Sequence, residues 1–138
     1  IFYFDGKIGT LRTTVHVLNL QRERVATIRR QVFSFRPTYV VTNETGELAK
    51  IYKKLFSIRP SFIVDVPGPD DITVIGKFIQ YDYRLFRGGR QIAEISKKWF
   101  RAKDTYGIAV ESSADILLCL CAAVVIDLAL YPKRDSTL

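Results

Sequence analysis

Ile116-Leu-Leu-Cys-Leu-Cys-Ala-Ala-Val-Val-Ile126 is an unbroken run of eleven apolar residues. Asp127 interrupts it, Leu128-Ala-Leu-Tyr131 follow, and Pro132 stops it, because proline cannot continue a helix. Ser112 and Asp115 just before the run have the spacing of a capping box. The pattern predicts one helix over about 114–130. Such a helix is apolar on every face, so something must surround it. A bilayer span needs about 20 apolar residues, and only eleven precede the carboxylate. The alternative is burial inside the chain's own fold. About 17 residues at 1.5 Å each make roughly 25 Å of helix, and a seven-residue strand is roughly 23 Å long. The helix therefore matches the height of a small barrel, and barrels wide enough can hold one. Cys119, Cys121, Ala122 and Ala123 are small enough to let strands come close.

The strands are visible as a repeat. Val25-Ala-Thr-Ile28-Arg-Arg-Gln-Val-Phe33-Ser-Phe-Arg36-Pro37-Thr-Tyr39-Val-Val41 recurs as Leu48-Ala-Lys-Ile51-Tyr-Lys-Lys-Leu-Phe56-Ser-Ile-Arg59-Pro60-Ser-Phe62-Ile-Val64. A third copy runs from Ile92-Ala-Glu-Ile95 through Trp99-Phe100 to Tyr106-Gly-Ile108. A weaker copy opens the chain, from Ile1 to Val17, and a shortened one spans Ile72–Phe78 and Tyr81–Phe86. Each of the five units reads as two strands around a break. In the first half Ala26, Ile28 and Val32 share one parity while Thr27, Arg29 and Gln31 share the other, the alternation of a half-buried strand. The second half is rich in Tyr, Phe, Val and Ile, which suit a pleated surface. Pro37 and Pro60 mark the breaks, since proline cannot donate to a ladder. Asn43-Glu-Thr-Gly46, Pro67-Gly-Pro-Asp-Asp71 and Arg87-Gly-Gly-Arg90 supply turns. The asparagine–leucine ladder of a leucine-rich solenoid is missing. Ten short strands and one greasy helix predict a mainly β fold. Arg30, Lys53 and Lys97 fall on the parity of the inward Ala and Ile. Either a bulge shifts the register there, or a cation points inward near the end of the barrel.

Composition narrows the chemistry. The chain has 138 residues, enough for one domain, and a formal net charge of +7. The excess is uneven, +6 over residues 1–66 and +1 over 67–138, and favours anionic partners. Two cysteines are too few for a disulfide scaffold. They lie two apart on a helix, pointing to different faces, and read as small buried hydrophobes. His16 is the single histidine, which argues against zinc sites and histidine triads; it reads as a strand-surface residue. Ser96 and Cys119 have no partner base. Asp70-Asp71 reads as a turn without calcium-loop spacing, and Gly88-Gly89 as a hairpin turn rather than a phosphate loop. Asp127 is expected to pair with a cation at the barrel mouth or to cap the helix. The expectation is a non-enzymatic domain with no cofactor and no metal.

Ile95-Ser-Lys-Lys-Trp-Phe100, Asp104-Thr-Tyr-Gly107, the helix ending Val-Val-Ile-Asp127 and the repeated Phe-Ser-x-Arg-Pro together resemble the LURP-one-related family. That family is related to phospholipid scramblases and the tubby C-terminal domain. The resemblance implies a tubby-like antiparallel barrel of about twelve strands around a central hydrophobic helix. Ten strands are visible, and the chain opens on Ile1. The expectation is therefore a single domain over 1–138 that lacks the family's first N-terminal hairpin, with the closure of the barrel at stake.

The chemical content left is the recurring cations. Arg29-Arg30, Lys53-Lys54 and Lys97-Lys98 recur at corresponding positions, as do Arg36, Arg59 and Lys103. Clustered in a barrel, they could hold the phosphate of an anionic phospholipid or phosphoinositide; dispersed, they would be a solvated face that keeps strand edges from aggregating. The family link to phosphoinositide-binding tubby domains implies the first. The alternatives are a scaffold domain with a protein or small hydrophobic partner, and scramblase-like activity. Nucleic acid is disfavoured because no base-reading element is present. Free cysteines predict a cytoplasmic location, peripheral to a membrane if lipid is the partner.

Overall fold

Period-two alternation and the turn residues produce ten strands. The structure, a computed structural model, describes residues 3–7, 14–31, 36–55, 58–68, 70–96, 107–111 and 115–130, with the backbone alone for 3–7, 107 and 108. The strands are β1 (Tyr3–Lys7), β2 (Thr14–Leu18), β3 (Arg24–Arg30), β4 (Thr38–Asn43), β5 (Gly46–Lys53), β6 (Ser61–Asp65), β7 (Ile72–Lys77), β8 (Asp82–Arg87), β9 (Arg90–Ser96) and β10 (Gly107–Val110). They form one sheet in sequence order, each antiparallel to the next. The turns follow their residues. Gly88 and Gly89 both have positive φ, 57° and 79°, as a two-residue hairpin loop between Arg87 and Arg90 needs. Asn43 Oδ1 accepts from the Thr45 amide at 2.8 Å, and Asp71 Oδ1 from the Val66 amide at 3.1 Å.

The helix α1 spans Ile116–Leu130; the expected first residue, 114, lies outside the described residues. Ser112, the proposed cap, lies outside the described residues. Asp115 instead receives the Arg87 guanidinium of β8, Nη1 to Oδ1 at 2.7 Å, which ties the start of the helix to the sheet. Cys119, Cys121, Ala122, Ala123, Val125 and Ile126 are all buried. At 100° per residue these positions, with Leu128, cover an arc of about 220°, while Ile116, Leu117, Leu120, Val124 and Asp127 on the remaining side are only half-buried. They belong to one core with inward residues of β2 through β9, from Val15 and Ile28 to Leu85 and Ile95. The strands thus cover the larger part of the helix, and one side stays half-buried where its composition predicts full enclosure. Among the described residues no helix is long and apolar enough to cross a membrane.

Two expectations change. The sheet is open rather than a closed barrel: β1 and β10 form its edges, and no pairing joins them among the described residues. Closure requires strand number and stagger to match, and neither is encoded locally. The bulge is real but lies elsewhere. Register shifts occur in the β2–β3, β4–β5 and β8–β9 pairs, leaving Val25, Leu48 and Ile92 as extra residues. These are the opening residues of the three clear repeat copies, each followed by an alanine. From Thr27 to Arg30 the pairing with β4 is continuous, so Arg30 keeps the parity of Ile28 and points inward.

Candidate functional site

The alternating strand directions sort the loops to two ends of the sheet. One end carries the turns after β3, β5 and β7 together with the C-terminus of α1; the other carries the turns after β2, β4, β6 and β8 and the start of α1. The two ends differ in charge. Glu23, Glu44, Glu47, Asp65, Asp70, Asp71, Glu111 and Asp115 lie at the helix-start end, against Arg22, Arg24, Arg87 and Arg90 among the described residues. The helix-end mouth carries Arg30, Arg36, Lys53, Lys54, Arg59 and Lys77, against Asp82 and Asp127 among the described residues.

Each upward strand presents its last inward position to this mouth. In β3 that residue is Arg30, in β5 Lys53, and in β7 Gly76. Arg30 and Lys53, with Arg36 from the β3–β4 connection, line one cavity of about 180 Å³. Tyr39 and Tyr52 form its walls, and Val125, Leu128 and Ala129 of α1 its floor. Arg30 pairs with Tyr39 across the β3–β4 ladder. Burial pushes the Tyr39 phenol up from its ordinary value, and the Arg30 charge pulls it partly back. The Arg36 guanidinium carbon sits 3.7 Å from the centre of the Tyr52 ring, a cation–π contact that holds the arginine over the cavity rather than in bulk solvent. A cation kept in place by an aromatic face, as Arg36 is, is preorganised for an anion, and arginine can meet phosphate with two parallel hydrogen bonds.

A second, apolar groove of about 410 Å³ adjoins the first and shares Lys53 and Phe62 with it. Phe62 and Phe78 meet edge to face at 5.0 Å between ring centres, and Phe78 lies 5.1 Å from Tyr83, so the wall is rigid. Ile79, 70% exposed, forms the outer lip, and Leu130 closes the helix side. Gly76 lines this groove at the position where β3 and β5 have a cation, and the β8 backbone occupies the space that its side chain would need.

The other sequence candidates scatter. Arg29 faces outward, lining a separate groove of about 640 Å³ with Glu23, Arg24 and Glu44. Lys54 and Arg59 are exposed on the β5–β6 connection at the same mouth but line neither cavity. Lys97, Lys98 and Lys103 lie outside the described residues. Asp127 pairs with no cation among the described residues; its Oδ1 accepts from the Tyr81 hydroxyl at 2.9 Å. Tyr81, with φ at 52°, is held in the β7–β8 turn by its amide bond to the Phe78 carbonyl. Tyr81→Phe leaves the half-buried carboxylate without this donor, and should lower stability by about 1–3 kcal/mol in denaturant titration. His16 lies beside Thr27, Nδ1 to Oγ1 at 3.4 Å, on the outer face. Among the described residues no group of three or more His, Cys, Asp or Glu side chains could hold a metal.

The cysteines behave as small hydrophobes. Burial pushes both thiols up to about 12, helped at Cys119 by the Asp115 carboxylate against the pull of Arg87, and at Cys121 by Cys119. Neither should react with an aromatic disulfide reagent in the native protein at neutral pH. Folded thiols hold their protons more tightly than unfolded ones. This contribution to stability is therefore complete below pH 9 and is lost as pH rises towards about 12. A Cys119→Ala, Cys121→Ala double variant should lose less stability than wild type across that window.

The aromatic walls, Lys77 and the whole apolar groove escape sequence reasoning. One signal was available: Gly76 interrupts the cation series at the last inward strand position.

The profile of the LURP-one-related family matches residues 1–127. The chain belongs to that family. This LURP-one-related chain is also 30% identical over 57 residues to the uncharacterized protein YxjI of Bacillus subtilis (strain 168). The match covers 41% of this chain and 35% of that relative, so the chain aligns with about a third of the relative's length. No solved structure matches it.

Proposed function

We propose that this LURP-one-related domain is a non-enzymatic module that binds anionic phospholipid headgroups, phosphoinositides among them, at the mouth formed by Arg30, Arg36 and Lys53. The observation that carries the reading is that three cations from two repeat copies line one small, aromatic-walled cavity. The acidic residues of the opposite end would orient the cationic mouth towards a negative leaflet, where each Lys or Arg contributes about 1 kcal/mol. On this reading the protein works at the surface of a membrane.

The same cations lie beside Leu128 and Ala129 in the last turn of α1. There they also complement the carbonyls at the helix C-terminus. A purely structural role and a binding role give different results. Vesicles of phosphatidylcholine should leave the protein in the supernatant at 50 mM salt. Vesicles containing phosphatidylinositol phosphate should sediment it, less so as salt rises. Lys53→Glu, on an exposed residue, should weaken this binding by roughly 30-fold, as expected for reversing one charge near a leaflet. Its melting temperature should stay within a few degrees of wild type. A fall in melting temperature with unchanged vesicle binding would leave the cations a helix-capping role alone.

A further inference from the structure

We infer that the two adjoining cavities form one site for an anionic amphiphile with an alkyl or acyl chain, phosphate in the cationic cavity and chain in the apolar groove. This rests on the headgroup reading above and adds to it the part of the ligand that a headgroup alone does not explain. The groove runs on from the cationic cavity through Lys53 and Phe62, which line both. Its walls are Phe62, Phe78, Ile79 and Leu130, with the stems of Lys53 and Lys77 at the rim. A lysine lies along apolar surface while its ammonium stays with an anion, so Lys53 spans the junction of chain and phosphate. The volume, about 410 Å³, is within the range of lipid-sized and drug-sized ligand sites. The buried Phe62 and Phe78 rings pack edge to face at its base, 5.0 Å between centres. Ile79 stands 70% exposed at its lip, an apolar side chain left in water where a chain would enter. Gly76, the one inward end position of β3, β5 and β7 that carries no cation, lines the groove and adds no charge to it.

The test uses the full chain and a series of monomeric alkyl phosphates, with binding read by calorimetry. Butyl phosphate reports the anion site alone. Each further methylene should tighten binding about threefold while the groove fills, so octyl phosphate should bind on the order of 80-fold tighter than butyl phosphate. Ile79→Asp, on an exposed turn, should abolish most of that increment and leave butyl phosphate within about twofold. Lys53→Glu should weaken both ligands. Equal affinity for butyl and octyl phosphate would overturn the groove as a chain site while leaving the headgroup reading intact. Failure of every alkyl phosphate to bind would overturn both. Octyl glucoside, uncharged, should bind much more weakly than octyl phosphate; equal binding would separate the groove from the cations and overturn the joint site.

Discussion

Ile126→Asp should leave the protein without a cooperative unfolding transition at neutral pH. Ile126 is among the largest fully enclosed side chains of the helix, within the core that joins α1 to β2 through β9. A carboxylate there must either stay ionised in an apolar surround or take up a proton against bulk water. Burial can raise a carboxylate by 3–5 pKa units, and the lost burial of the isoleucine adds about 2–3 kcal/mol. Together the change is on the order of 7 kcal/mol, comparable with the whole stability of a domain of this size. Ile126→Val removes one methyl group and should cost only about 1 kcal/mol. Circular dichroism melts of the two variants side by side check the claim that the strands surround the helix on this side. A well-folded Ile126→Asp protein would mean that this face of α1 meets water or lipid instead.

Gly76→Ala should be the most damaging single-methyl addition in the sheet. Gly76 has φ at 150°, and a Cβ there would lie 2.5 Å from the Tyr83 Cα and 2.6 Å from the Asp82 carbonyl oxygen. Both are backbone atoms of the paired strand β8, so relief requires the strands themselves to part. The expected loss is about 3 kcal/mol or more, a fall in melting temperature of roughly 10 °C. Gly46 is the control. Its φ is 127°, yet nothing lies within 4 Å of its would-be Cβ, so Gly46→Ala carries conformational strain alone, about 1 kcal/mol. Similar melting temperatures for the two variants would show that β7 and β8 do not approach this closely at Gly76.

Charge effects depend on how the strands stagger. In continuous pairing Arg30 faces Tyr39, Tyr39 faces Ile51, and Ile51 faces Val64; Lys53 starts the next row, against Phe62 and then Val74. Arg30 and Lys53 hold the same place in their repeats but differ by one inward row. Arg29 and Lys53 looked equivalent as members of basic pairs, yet one residue of offset puts Arg29 on the outer face, since parity reverses at every step.

What could be read from the chain alone was everything with a local period. Alternation identified ten strands, turn residues placed the hairpins, and an all-round apolar helix had to find cover. The inward parity of Arg30 and Lys53 was legible too, though not the reason for it, because a bulge anywhere in the strand would have changed the answer. Val25, Leu48 and Ile92, each followed by alanine, carried the sign of that bulge as two consecutive apolar residues in an alternating strand. Only the tertiary structure decided which cations share a cavity, that Asp127 pairs with Tyr81, that an apolar groove opens beside Gly76, and that β1 and β10 stay apart among the described residues. These outcomes depend on stagger between strands and on the path of the helix, which join residues 46 positions apart in the case of Tyr81 and Asp127. Side-chain period is a property of one strand; the meeting of two side chains across a curved sheet is a property of all of them.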